Sequence, residues 1–174
     1  MFGRLFRRRT GADAIASTLY GAIVAQARNP IFYEELGVPD TVSGRFEMVV
    51  LHVVLVLERL EDKDVGQRIF DLYCKDMDQS LRELGVGDLG VPRCMKKMAE
   101  AFYGRAAAYR SALSARDSHG LATAIARNVF GHPQASARLL GAYAIASADL
   151  LAGMNPLVET LRFAPVGAAA EVLA

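Results

Sequence analysis

In RFEMVVLHVVLVLERLED, residues 45–62, five valines suit a strand as well as a helix. Length separates the two: the apolar pattern runs unbroken from Phe46 to Leu60, too long for an ordinary strand, and it ends in a mixed-charge turn typical of a helix end. A helix apolar nearly all round belongs in the interior. Its continuous core, Met48 to Leu57, is ten residues, about 15 Å as a helix against a hydrocarbon layer of about 30 Å, so it cannot span a membrane. The expectation is a central buried helix in an all-α protein.

The flanking sequence supplies partners for that helix. Thr10, with Asp13 three residues on, can cap a first helix carrying Ile15, Leu19, Ala22 and Ile23, which Asn29-Pro30 stops. Residues 31–44 hold Gly37, Pro39 and Gly44 and predict a structured loop with one helical turn. A helix follows from about Asp62 to Leu84 with the stripe Phe70, Tyr73, Met77, Leu81 and Leu84 and the pairs Asp71/Lys75 and Asp78/Arg82 at helical spacing. Another starts near Pro92 and carries Met95, Met98, Phe102, Ala106, Tyr109 and Leu113. Asp117 can cap the next, with Leu121, Ile125 and Val129, and after Gly131-His132-Pro133 a last helix holds Leu139, Tyr143, Ala146 and Leu150. This gives a single compact domain of about six helices around the apolar one, residues 13–152, between a basic tip (1–12) and a tail (153–174) that Pro165 and Gly167 predict to be loose.

The 174 residues carry a net charge of only +1, and this conceals a strong asymmetry. Residues 57–92 hold nine acids against five bases, whereas 93–138 hold eight bases, including Arg93, Lys96, Lys97, Arg105 and Arg110, against two acids. A basic face attracts RNA, anionic lipid or an acidic partner; the same arginines also suit a plain solvated helix face. Lys96, Lys97, Arg105 and Arg110 share one helix, opposite a stripe committed to the core, so the bases are expected to be exposed together and unneeded for packing. The tip MFGRLFRRR sets Phe2, Leu5 and Phe6 among four arginines, a composition suited to a lipid interface or simply to a frayed terminus.

Enzymatic and metal chemistry find no constellation. GVGDLG, residues 85–90, has dinucleotide-fingerprint spacing, but a helix precedes it where a strand is required, so it predicts a turn between helices. Asp71, Asp76 and Asp78 scatter over different helix faces. His52 has no second histidine at ligand spacing and predicts a hydrogen-bonded core residue. His119 and His132 lack a nucleophile with recognisable context. No catalytic residue, metal or cofactor is assigned. Cys74 and Cys94 show no CxxC spacing, and the absence of a signal-peptide pattern near the start points to the cytoplasm.

FYEELGVPDTVSGRFEMVVLHVVLVLERL (32–60) together with FDLYCKDMDQSLRELGVGDLGVPRCMKKMAEAFYGRAAAY (70–109) resembles the ubiquinol-cytochrome c chaperone family in its alphaproteobacterial form. The resemblance covers roughly residues 13–152. Gly37-Val38-Pro39-Asp40-Thr41, Leu51-His52, Asp76-Met77-Asp78 and Gly85-Val86-Gly87-Asp88-Leu89 carry it; Arg45-Phe46 stands where mitochondrial members have tryptophan-phenylalanine. It implies an all-helical, non-enzymatic assembly factor for ubiquinol-cytochrome c reductase, whose mitochondrial relatives work with a second small subunit at the ribosomal exit and hold newly made cytochrome b. On that basis Lys96, Lys97, Arg105 and Arg110 are expected to face anionic lipid or ribosomal RNA, while Phe32, Tyr33, Phe46 and His52 contribute a groove for client helices. The location expected is the cytoplasm, peripheral at the inner face of the membrane. The competing reading is a helical carrier or enzyme for a small apolar ligand, a quinone or lipid, held in an internal cavity.

Overall fold

The computed structural model describes residues 2–166, with side chains from residue 11 onward. Among these, all regular structure is helical: α1 (Phe2–Ala27), α2 (Pro30–Glu34), α3 (Val42–Leu57), α4 (Lys63–Glu83), α5 (Val91–Ser114), α6 (Ser118–Ile125), a π-helical turn (Ala126–Phe130) and α7 (Ser136–Ala152). The valine-rich stretch is α3, and Met48 through Val56 are all buried. Tertiary burial on every side overrides the strand preference of valine. Thr41 starts the helix, its side chain accepting from the Gly44 amide at 3.1 Å. Gly44 has to be glycine, because a Cβ there would stand 2.0 Å from the Pro39 carbonyl oxygen.

The other helices wrap α3. α1 lies along α4 and α3, α5 closes against α3, α4 and α6, and α7 packs on α6 and α3. α4 and α5 each bring a narrow apolar stripe, the amphipathic arrangement of surface helices, whereas α6 and α7 bury about half of their residues. On α4 the stripe is Val65, Ile69, Tyr73 and Met77; Leu84, expected on that stripe, is 58% exposed. Asp62 caps α4 by accepting from Asp64 and Val65 amides, and Asp117 caps α6 through the Gly120 amide. The Asp78–Arg82 pair forms at 2.7 Å, while Asp71 accepts from Gln67 rather than pairing with Lys75.

Four expectations are corrected. α1 begins at Phe2 rather than at Thr10, since no residue between breaks a helix, and Asp13 instead pairs with Arg68 of α4. On α7 the buried stripe is Leu140, Tyr143, Ala144, Ser147 and Leu151, rotated from the expected one, and Leu150 is 47% exposed. On α5, Met95 and Met98 reach only the margin of the core. The tail is packed as far as it is described: Leu161, Ala164 and Val166 are buried, and the Ala164 amide donates to Ser147 Oγ at 3.0 Å. An irregular segment can be buried this way because a side chain replaces the missing backbone partner. Residues 1 and 167–174, with the side chains of the basic tip, lie outside the described residues.

Candidate functional site

Of the polar groups that interrupt the core among the described residues, two arrangements, one centred on His52 and one on Glu47, involve ionisable side chains. The inner one is centred on His52, in the middle of α3 and closed to solvent. Its Nδ1 lies 2.7 Å from the Met48 carbonyl oxygen, which can only accept, so Nδ1 carries the hydrogen. Nε2 therefore accepts from the Tyr143 hydroxyl of α7, also at 2.7 Å, and that hydroxyl accepts from Gln26 Nε2 of α1 at 3.0 Å. Burial holds His52 near pKa 4, well below its ordinary value, despite the Met48 bond, and raises the Tyr143 hydroxyl to about 12. Phe32, Tyr143 and Phe163 surround the imidazole with ring centroids 5.2–5.7 Å away. These rings take up the space immediately around the imidazole.

Sequence placed Phe32, Tyr33, Phe46 and His52 on a client groove. Phe32 and His52 are instead wholly interior. Tyr33 is half-buried, its hydroxyl donating to the Ala27 carbonyl at 2.8 Å and fixing the α1–α2 corner. Phe46 packs half-buried at the margin of the core.

The outer arrangement lies where α3, α4 and α5 meet. Glu47 of α3 is nearly buried and accepts two bonds from Arg105 of α5, at 2.6 and 2.5 Å. Burial pushes the Glu47 carboxyl up against the pull of Arg105. It opposes the Arg105 charge as well, yet the bond to Glu47, the Glu47 charge and the nearby Tyr109 and Tyr73 together keep the guanidinium above its ordinary value. Arg105 is thus committed to packing, which corrects the expectation that it is a free surface base. Arg110 is more exposed and binds Glu58 at 2.5 Å. Lys96 is 80% exposed on its side chain, with Glu100 at 4.0 Å, and Lys97 is exposed. The expected basic cluster therefore divides into two paired arginines and two solvated lysines.

Beside Arg110 a groove of about 260 Å³ opens between these helices, lined by Val54, Leu57, Phe70, Phe102 and Tyr103. Its aromatic floor is continuous: Phe70 lies 5.0 Å from Phe102 and 5.6 Å from Tyr103, ring centre to ring centre. Tyr103 is 61% exposed. Sequence reading missed this residue; its one signal was an aromatic side chain immediately after the core Phe102 and therefore turned outward. Among the described residues no group of three or more metal-ligating side chains assembles, and no helix is long and apolar enough to cross a membrane.

An all-helical body with an aromatic groove open at its surface has the features of a binding protein. The comparisons specify the class: residues 34–157 match the family described as ubiquinol-cytochrome C chaperone, and the chain belongs to that family. The family is one of assembly chaperones, and the role is non-enzymatic. The chain is similar to the crystal structure of the Cbp3 homolog from Brucella abortus, with 41% identity, a TM-score of 0.85, and coverage of 96% of this chain and 98% of that one. It is also 25% identical over 119 residues to the ubiquinol-cytochrome-c reductase complex assembly factor 1 of Xenopus laevis. That match takes in 66% of this chain and 59% of the relative.

Proposed function

We propose that this chain assists assembly of ubiquinol-cytochrome c reductase by holding newly made cytochrome b, and that it does so at the inner face of the cytoplasmic membrane. The observation that carries the reading is the groove over Phe70, Phe102 and Tyr103, which lies inside the segment matched by the family and exposes aromatic surface beside the Glu58–Arg110 pair. Such a floor suits an apolar helix of an unassembled membrane protein, and Tyr103 is a side chain that such a client would cover. Capture with the tagged full chain from membranes making cytochrome b tests this. The parent is expected to bring down cytochrome b, and Tyr103→Asp to lose most of it without a change in melting, because the side chain is exposed. Equal capture by both would move the client surface elsewhere, and no cytochrome b with the parent would overturn the reading.

A further inference from the structure

The α4–α5 connection exposes two large apolar side chains. Leu84, at the end of α4, is 58% exposed, and Leu89, in the turn before α5, is 99% exposed. The turn is held from within: Gly85 adopts φ +82°, the Val86 amide donates to the Leu81 carbonyl at 3.0 Å, and the Gly90 amide donates to the Gly87 carbonyl at 2.7 Å. Val91 is buried immediately afterwards and anchors the turn to the body. Leu89 is thus displayed by a fixed backbone.

Bases follow in the first turns of α5. Arg93, Lys96 and Lys97 are exposed, follow at helical spacings of three and four, and lie within about 9 Å of the start of α5 along its axis. Arg93 and Lys97 have no ion-pair partner among the described residues, and Lys96 has only Glu100 at 4.0 Å. The acids nearby are engaged: Asp88 pairs with Arg82, which also binds Asp78, and Glu83 accepts from Gln79.

A solvated lysine face alone would suit RNA, and an exposed leucine alone would mean little. Two exposed leucines in the connection, followed within two turns of helix by three unpaired or barely paired exposed bases, fit a surface that is apolar below and negatively charged above. We propose that the α4–α5 tip, through Leu84, Leu89, Arg93, Lys96 and Lys97, docks the protein on an anionic lipid surface. The leucines enter the acyl boundary while the bases meet the headgroups. The proposal rests on the membrane-side setting of the reading above and adds the element that makes the contact.

Sedimentation of the purified full chain with vesicles tests it without any client. The chain is expected to pellet with phosphatidylcholine vesicles containing phosphatidylglycerol, less so as salt rises, and weakly with phosphatidylcholine alone. The double variants Leu84→Ser/Leu89→Ser and Lys96→Glu/Lys97→Glu should each lower the bound fraction about tenfold with unchanged circular dichroism, since all four side chains are exposed. Failure of the parent to bind anionic vesicles, or binding unaffected by either pair, would overturn the proposal. So would binding to ribosomes that depends on the lysines but not on the leucines, which would assign the face to RNA. Because the vesicles contain no cytochrome b, a negative result here leaves client capture standing, and failed capture leaves this contact standing.

Discussion

His52 shows how a single polar side chain in an apolar helix can be placed from sequence and yet keep its role hidden. The lack of any second ligand at metal spacing marked it as a satisfied core residue. Its partner Tyr143 of α7 is 91 residues away, and Gln26 of α1, which donates to that hydroxyl, is 117 residues from Tyr143, and no local pattern joins the three. The depressed pKa has a definite consequence for stability. Unfolded His52 takes up a proton near pH 6.5, whereas the folded residue resists until about pH 4. The unfolded chain is therefore favoured increasingly as pH falls through that window, a loss of about 3 kcal/mol at most, with the full contribution present above pH 6.5. His52→Gln should flatten this slope; denaturant unfolding at about pH 5 and about pH 7 should show a smaller difference for the variant than for the parent. Equal slopes would remove His52 as the titrating group. Arg105 was visible as a base but not as the partner of Glu47, 58 residues earlier. Arg105→Ala strands a nearly buried carboxylate and should cost about 3–5 kcal/mol in unfolding measurements, a penalty that Glu47→Gln/Arg105→Ala should partly relieve.

At the level of elements, α3 was the most legible because its length and apolar continuity outweigh its valine content. Capping was legible in part: Asp117 bonds the Gly120 amide as its position predicts, whereas the cap that Asp62 supplies to α4 was not read from sequence. Helix faces were less so. α7 is rich in alanine and apolar residues on several sides, so its sequence does not mark the stripe that meets α6, and the buried face lies one step round from the expected one. The start of α1 was missed for a related reason, since a capping pair at Thr10 and Asp13 offers a boundary that the chain upstream has no need to use. The placement of α3 is tested by Val53→Asp, which puts an unpaired charge into a fully buried site and should destabilise by several kcal/mol, about 3 or more. A variant that melts with the parent would contradict that burial.

For the whole molecule, the family's likeness follows the part that folds around α3, and the structure adds a division of labour among its charges. Arg105 and Arg110 tie α5 to α3 through Glu47 and Glu58, leaving Lys96 and Lys97 to the solvent beside the α4–α5 turn. The client groove was the least legible part, because Phe70 and Tyr103 meet only when α4 and α5 pack, and the sequence distributes its aromatic residues without saying which become a floor. The proposal that this chain serves cytochrome b in the assembly of ubiquinol-cytochrome c reductase is tested by the abundance of respiratory proteins in cells lacking it. Quantified membranes should show cytochrome b and ubiquinol-cytochrome c reductase strongly reduced while other respiratory complexes stay near normal. An equal loss across all of them, or normal cytochrome b, would contradict it.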